Sequence, residues 1–342
     1  MKFLPILMVL LFAFSPQVSS AAENDGGDGV LNKDPGSELW RNVRQREFAL
    51  AGTSQIKASE ANILINISGE AWRQYRTMSL IPRASIVLLI ALIGVFLFRI
   101  IRGKIKIANG RSGIKILRFT LNQRVAHWCT AILFVLLSLT GIILLLGRSL
   151  LIPLMGHEAF SFIVSATRTL HNYLGPAFAV SLIFLFVLFI RGNAISLKLD
   201  LDWIMKGGGL LGKHASSGCY NAGEKGWFWM AVLVGGTIVG SGLVLDFPLF
   251  GLDRASMEFY LVIHGIAALI MIIASFGHIY MGTIAMEGAF EVMQTGYCDS
   301  NWAEEHHDLW YENVKDSGGM VPQQTQGDSD ADGMQKESTD TA

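Results

Sequence analysis

The chain contains no C-x-x-C and no C-x-x-C-H. The first absence excludes the usual iron–sulfur and structural zinc signatures, and the second excludes covalent c-type haem attachment. Its three cysteines, Cys129, Cys219 and Cys298, all fall after the segment that reads as exported, so no disulfide framework is expected there. Charge is scarce: 27 Lys and Arg balance 28 Asp and Glu, and the basic residues are confined to short stretches between apolar runs. No nucleic-acid footprint follows from that pattern. The apolar runs carry no series of carboxylates, so a proton channel has no evident residues. What remains is a chain 51% hydrophobic, the composition of a polytopic membrane protein and not of a soluble domain with one core.

Met1 to about Ala22 reads as a signal peptide, with Lys2 before a short apolar centre and Ser19-Ser20-Ala21-Ala22 for cleavage; an uncleaved anchor is the alternative. Residues 23–82 form a polar segment that begins as a Gly/Asp/Asn linker. Five spans follow. The first covers 83–102 (apolar from Ala84 to Ile101), and the stretch after it carries Lys104, Lys106, Arg111, Lys115, Arg118 and Arg124 with no acid. By the positive-inside rule that stretch is cytoplasmic, in agreement with an exported segment before it. The second span is Val125–Gly147, followed by an outer loop, Arg148–Ala166. The third is Thr169–Ile190, the fourth Gly226–Leu245, and the fifth Glu258–Met286. The expected fold is all-α: a four-helix transmembrane bundle over 110–290, one extra N-terminal helix, and a cytoplasmic tail over 291–342, disordered from about Asp316.

The fifth span holds His264 and His278, fourteen residues apart. Fourteen steps of ~100° return to within about 40° of the start, and at ~1.5 Å per residue the rings stand about 21 Å apart along the axis. One ring then lies near each side of an apolar layer ~30 Å thick. An imidazole in lipid needs a partner, and haem iron takes axial histidine. The topology places His171 at the outer end of span three and His127 at the inner start of span two. Depth therefore couples His171 with His264 outside and His127 with His278 inside, for two b haems. The second ring nitrogen of each should donate to a carbonyl or side chain. The competing reading is a histidine satisfied on a backbone carbonyl or lining a proton path. Gly175, Gly265 and Gly277 would admit a flat macrocycle, although small residues also serve helix packing.

Other candidates are weaker. His157 falls in the outer loop and His214 in an inner one, where solvated surface is the default. His306 and His307 are an adjacent pair without helical spacing, open to proton relay or metal binding. Cys129 reads as packing.

NQRVAHWC (122–129), TLHNYLG (169–175), YNAGEK (220–225), LVIHG (261–265), HIYM (278–281) and HDLWY (307–311) occur in one order. Together they resemble the gamma subunit of membrane-bound formate dehydrogenase, a di-haem cytochrome b, over about Gly110 to Val314. The resemblance implies a bacterial inner-membrane protein with a periplasmic N-terminal segment and a cytoplasmic C-terminus. It implies a molybdenum or tungsten alpha subunit that oxidises formate and an iron–sulfur beta subunit that feeds the outer haem. Quinone (menaquinone or ubiquinone) is then reduced near the inner haem, in a pocket involving Asn221, Gly223 and Glu224 beside His278. Position 224 is usually glutamine in that family; here the acid either exchanges a proton with water or the quinone, or is a tolerated change. Glu304-Glu305 also replaces a usually basic stretch. Hydrogenase and thiosulfate reductase cytochrome b chains share the scaffold and form the alternative. A transporter or passive anchor is the alternative from another class.

Overall fold

The computed structural model describes residues 67–209, 214–247 and 251–322. The expected signal peptide, residues 23–66 of the segment expected to be exported, and the acidic end beyond Pro322 lie outside the described residues. The chain divides into two compact units, Met1–Ile86 and Val87–Ala342. In the first, helix α1 (Ile67–Tyr75) continues through a wide turn, Arg76–Leu80, into the start of α2 (Ile81–Arg102).

The second unit contains the bundle: α3 (Leu121–Leu150), α4 (Ile152–Phe189), α6 (Ala222–Asp246) and α7 (Arg254–Tyr280), with the short α5 (Leu197–Met205) between α4 and α6. With α2, the four bundle helices α3, α4, α6 and α7 make five helices among the described residues long and apolar enough to cross a membrane, so the chain is a multi-pass membrane protein. Three bundle helices start on caps written in the sequence. Thr120 with Gln123, and Asn221 with Glu224, form reciprocal capping boxes, and Asp253 accepts from the Ser256 N–H. These satisfy N–H groups that a helix start leaves free. The main seams are α3 on α4, α6 on α7, and α4 on α6. Their outer faces expose large apolar side chains such as Ile132, Ile183, Leu233 and Phe259, which suits a lipid surround and not water.

One expectation is corrected here. The expected outer loop Arg148–Ala166 is helical: α3 ends at Leu150 and α4 starts at Ile152, with Pro153 in its first turn. Within α4 the chain breaks at Gly156, whose φ of 79° is open to glycine. Beyond it, EAFSFIVSATRTL contains nothing that stops a helix. His157 is therefore an exposed residue of α4, not a loop residue.

A second layer caps one end of the bundle. Strand β1 (Ile114–Leu117) pairs antiparallel with β2 (Tyr297–Asp299) on one side and β3 (Met320–Pro322) on the other. Helices α8 (Ala289–Thr295), α9 (Ser300–His306) and α10 (Asp308–Asp316) complete it. The segment expected to be a tail is thus a folded partner of the basic stretch, and ordered chain extends past Asp316 to Pro322. Gly296 makes the join possible. Its carbonyl accepts from the Arg118 and Phe119 N–H groups, and a Cβ there would stand 2.6 Å from the Phe119 carbonyl. The cap packs on the bundle end through one buried apolar cluster that includes Ile116, Phe119, Tyr220, Val292, Cys298 and Trp302 with Phe189 and Phe228 of the bundle helices. Burial pushes the Cys298 thiol up to about 11, which marks it as a packing residue. Cys129, by contrast, is exposed and not packed.

Candidate functional site

The bundle helices bring four histidines together in two couples. His127 of α3 faces His278 of α7, with ring centroids 6.3 Å apart; His171 of α4 faces His264 of α7 at 6.1 Å. The couples lie at different heights because α7 supplies one ring to each, fourteen residues apart.

Each couple can be tested as a seat for one metal. A metal lies about 2 Å from a ligating imidazole nitrogen, which itself lies about 1 Å from its ring centroid, so two rings on one ion have centroids about 6 Å apart. Both separations match that span. The protonation pattern of the His171–His264 couple matches as well. His264 Nδ1 lies 3.0 Å from the Ile238 carbonyl, which only accepts, so Nδ1 carries the proton and Nε2 keeps its lone pair. His171 Nδ1 lies 2.8 Å from Thr140 Oγ1, whose own hydroxyl is within reach of the Leu136 and Leu137 carbonyls. The hydroxyl donates there and accepts from Nδ1, again leaving Nε2 free. Ligand histidines are commonly oriented by such outer partners.

Two glycines sit against these rings. A Cβ on Gly141 would stand 3.5 Å from His171 Cε1, and one on Gly242 would stand 3.1 Å from His264 Cε1. These were not the glycines picked from sequence. Gly175, Gly265 and Gly277 have open space where a Cβ would go.

The other couple is built differently. His278 stacks on Trp227 at 4.2 Å, the ring planes within 7°. His127 Nδ1 is buried with no hydrogen-bond partner. The donor arrangement expected for all four ligands is therefore present in the His171–His264 couple and missing at His127.

Next to this couple lies the start of α6. Glu224 and Trp227 share a helix face at i and i+3. Asn221 Oδ1 accepts from the Glu224 N–H, so Asn221 and Glu224 are engaged in capping. Gly223 lies under Trp203, where a Cβ would meet the indole at 3.1 Å. Glu224 also holds Arg118, whose Nη2 donates to both carboxylate oxygens at 2.8 and 3.0 Å and to the Cys219 carbonyl at 3.0 Å. The Arg118 side chain is only 2% exposed and lies among rings, 4.8 Å from the Trp302 centroid and 5.2 Å from that of Phe119. One residue on, Lys225 pairs with Asp200 at 2.8 Å, also buried. A buried cation needs such a partner.

Sequence reasoning passed over Arg118, because it counted as one of several topology-setting cations. It also undervalued His307, which is completely buried, in contact with Glu224 and close to Arg118's aromatic cage. The chain brings His307 to the cap through β2 and α9, and no local spacing announces that. His306 lies beside it against Trp302. His214 is exposed and pairs with Asp308 at 3.0 Å.

Among known proteins, the model of a family described as prokaryotic cytochrome b561 matches residues 118–296, just over half of the chain. The chain is 30% identical over 207 residues to the nitrate-inducible formate dehydrogenase cytochrome b556(Fdn) subunit of Escherichia coli (strain K12), covering 58% of this chain and 92% of that one. It is 28% identical over 205 residues to the formate dehydrogenase cytochrome b556(fdo) subunit of the same strain, covering 58% and 93%. With the formate dehydrogenase cytochrome b556 subunit of Haemophilus influenzae it shares 25% over 219 residues, covering 61% and 86%.

Proposed function

The chain belongs to the prokaryotic cytochrome b561 family, a family of haem b proteins, and from that premise we propose that it is the cytochrome b subunit of a membrane-bound formate dehydrogenase. It carries electrons from an iron–sulfur beta subunit through two b haems to quinone on the cytoplasmic side. A molybdenum- or tungsten-containing alpha subunit oxidises formate. The observation that carries this reading is the pair of histidine couples stacked in one bundle, 6.1 and 6.3 Å between ring centroids.

His171 and His264 would hold the outer haem and His127 and His278 the inner one, each through Nε2. The haems supply one-electron redox chemistry, and the protein supplies ligands, burial and position. Thr140 and the Ile238 carbonyl orient the outer imidazoles and set their tautomer. Trp227 fixes the plane of His278. The start of α6, with Asn221, Gly223 and Glu224, is the proposed quinone pocket. Its support is the shared helix face of Glu224 and Trp227 beside His278. The basic stretch before α3 sits in the cap at the His127–His278 end, which supports a cytoplasmic cap by the positive-inside rule. The reading sets the N-terminal segment in the periplasm and the chain in the inner membrane. An electron crossing inward would store ~2.3 kcal/mol per charge per 100 mV. The named relatives favour formate dehydrogenase over a nickel–iron hydrogenase or thiosulfate reductase partner.

The test is a spectrum of the purified complex with formate as reductant. Sharp b-type bands should appear and collapse again when a quinone analogue is added. No bands, or a nickel–iron partner in the mass spectrum of the complex, would overturn the proposal.

A further inference from the structure

One contact in the cap joins two acceptors with no donor between them. His307 Nδ1 lies 2.9 Å from the Gly218 carbonyl, so Nδ1 carries the ring proton and Nε2 a lone pair. Nε2 is buried without a partner and points at Glu224 Oε2, 3.7 Å away. That carboxylate oxygen is already served by donors, the Arg118 guanidinium at 3.0 Å and the Asn221 N–H at 3.0 Å, so it too presents acceptor lone pairs. The gap is longer than a hydrogen bond. A proton placed in it would be accepted by both sides.

The surroundings suit capture and not permanent storage. Burial first, then the Arg118 charge, hold the His307 imidazole down to about 3, so the ring rests neutral. The other charged and titratable groups around the pair are His306 from α9, Cys219 and Tyr220 before α6, and His278 from α7. Asp308 is occupied by His214 and the Ser217 N–H, and Lys225 by Asp200. Arg118 balances Glu224, so one added proton would leave a single net positive charge in the cluster, which an arriving negative charge would favour. Glu224 is 36% exposed and His307 only 1%, so exchange with water or ligand runs through Glu224.

We propose that Glu224 Oε2 and His307 Nε2 form a proton-capture pair that takes one proton from water and hands it to a quinone oxygen as the quinone is reduced. This rests on the function proposed above. The proton binds Glu224 Oε2 facing His307 Nε2, then leaves to form the quinone O–H bond, and the pair returns to two bare acceptors. Two protons and two electrons, the electrons arriving by the route already described, complete the quinol. Glu224 is the delivering group; His307 is a positioning residue that acts through it.

The experiment uses the complete complex and follows formate-driven reduction of a soluble quinone analogue across neutral to alkaline pH. In the unaltered complex the rate should fall as pH rises. Glu224→Gln places an amide N–H in the gap; it should lower the neutral-pH rate about tenfold and flatten the alkaline limb. Formate should still develop the b-type bands. His307→Asn keeps a side-chain N–H for Gly218 and should flatten the limb equally; if that variant does not assemble, Glu224→Gln decides alone. Bands present with a pH profile parallel to the unaltered one, whatever the rate, would overturn the capture pair and leave the functional reading standing. Bands absent from the unaltered complex would sink both.

Discussion

The two histidine couples share a helix and a spacing, yet the protein holds them by different means. In the His171–His264 couple, each ring is fixed by a hydrogen bond that also sets its tautomer, and a glycine lies against each ring. In the His127–His278 couple, one ring is fixed by stacking on Trp227 and the other has a buried nitrogen with no partner. A hydrogen bond specifies direction; stacking specifies a plane and allows sliding within it. The His171–His264 couple is therefore fixed in direction. The His127–His278 couple is fixed at one ring and only in plane, and it stands beside the charged cluster of Arg118, Glu224 and His307.

The largest test of this contrast is deletion of one ligand from each couple. His264→Ala should remove the outer haem and His278→Ala the inner one, each halving haem per chain, with different absorption bands lost. The same band disappearing in both variants would dissolve the distinction between the couples. Next in size is Arg118→Met. It removes the hydrogen bonds from Arg118 to the part-exposed Glu224 carboxylate and should cost about 2 kcal/mol of cap stability. Hydrogen exchange should rise over 297–316 while haem binding at His171 and His264 is unchanged; equal exchange at both ends of the bundle would show that the cap is not a separate element of stability. The smallest effects come from the supports. Thr140→Val removes the acceptor for the His171 N–H and should weaken the outer haem about tenfold. Trp227→Leu should disturb only the inner haem signal. A hydrogen bond lost at one couple and a stack lost at the other having identical effects would erase the difference in how the two couples are held.

Much of this was legible along the chain. Five apolar runs announced five helices, because lipid leaves a spanning backbone few alternatives. The His264–His278 spacing fixed the height of two rings, because a helix has a constant rise. The helix over 157–166 was not legible. Short outer loops are expected to be polar and non-helical, and a single Gly156 was enough to turn the chain before a helix resumed. Arg118 was equally hidden: its charge was read for topology, while its partner lies 106 residues away.

By itself, then, the sequence determined the spans and the heights of the four imidazoles, since both depend on local periodicity and on the solvent the chain must occupy. Only the tertiary structure decided how each ring is held, that the last helices fold back onto the basic strand, and that His307 meets Glu224. Those contacts join residues some 26 to 208 positions apart, and no local pattern encodes which distant side chains a closed bundle will bring face to face.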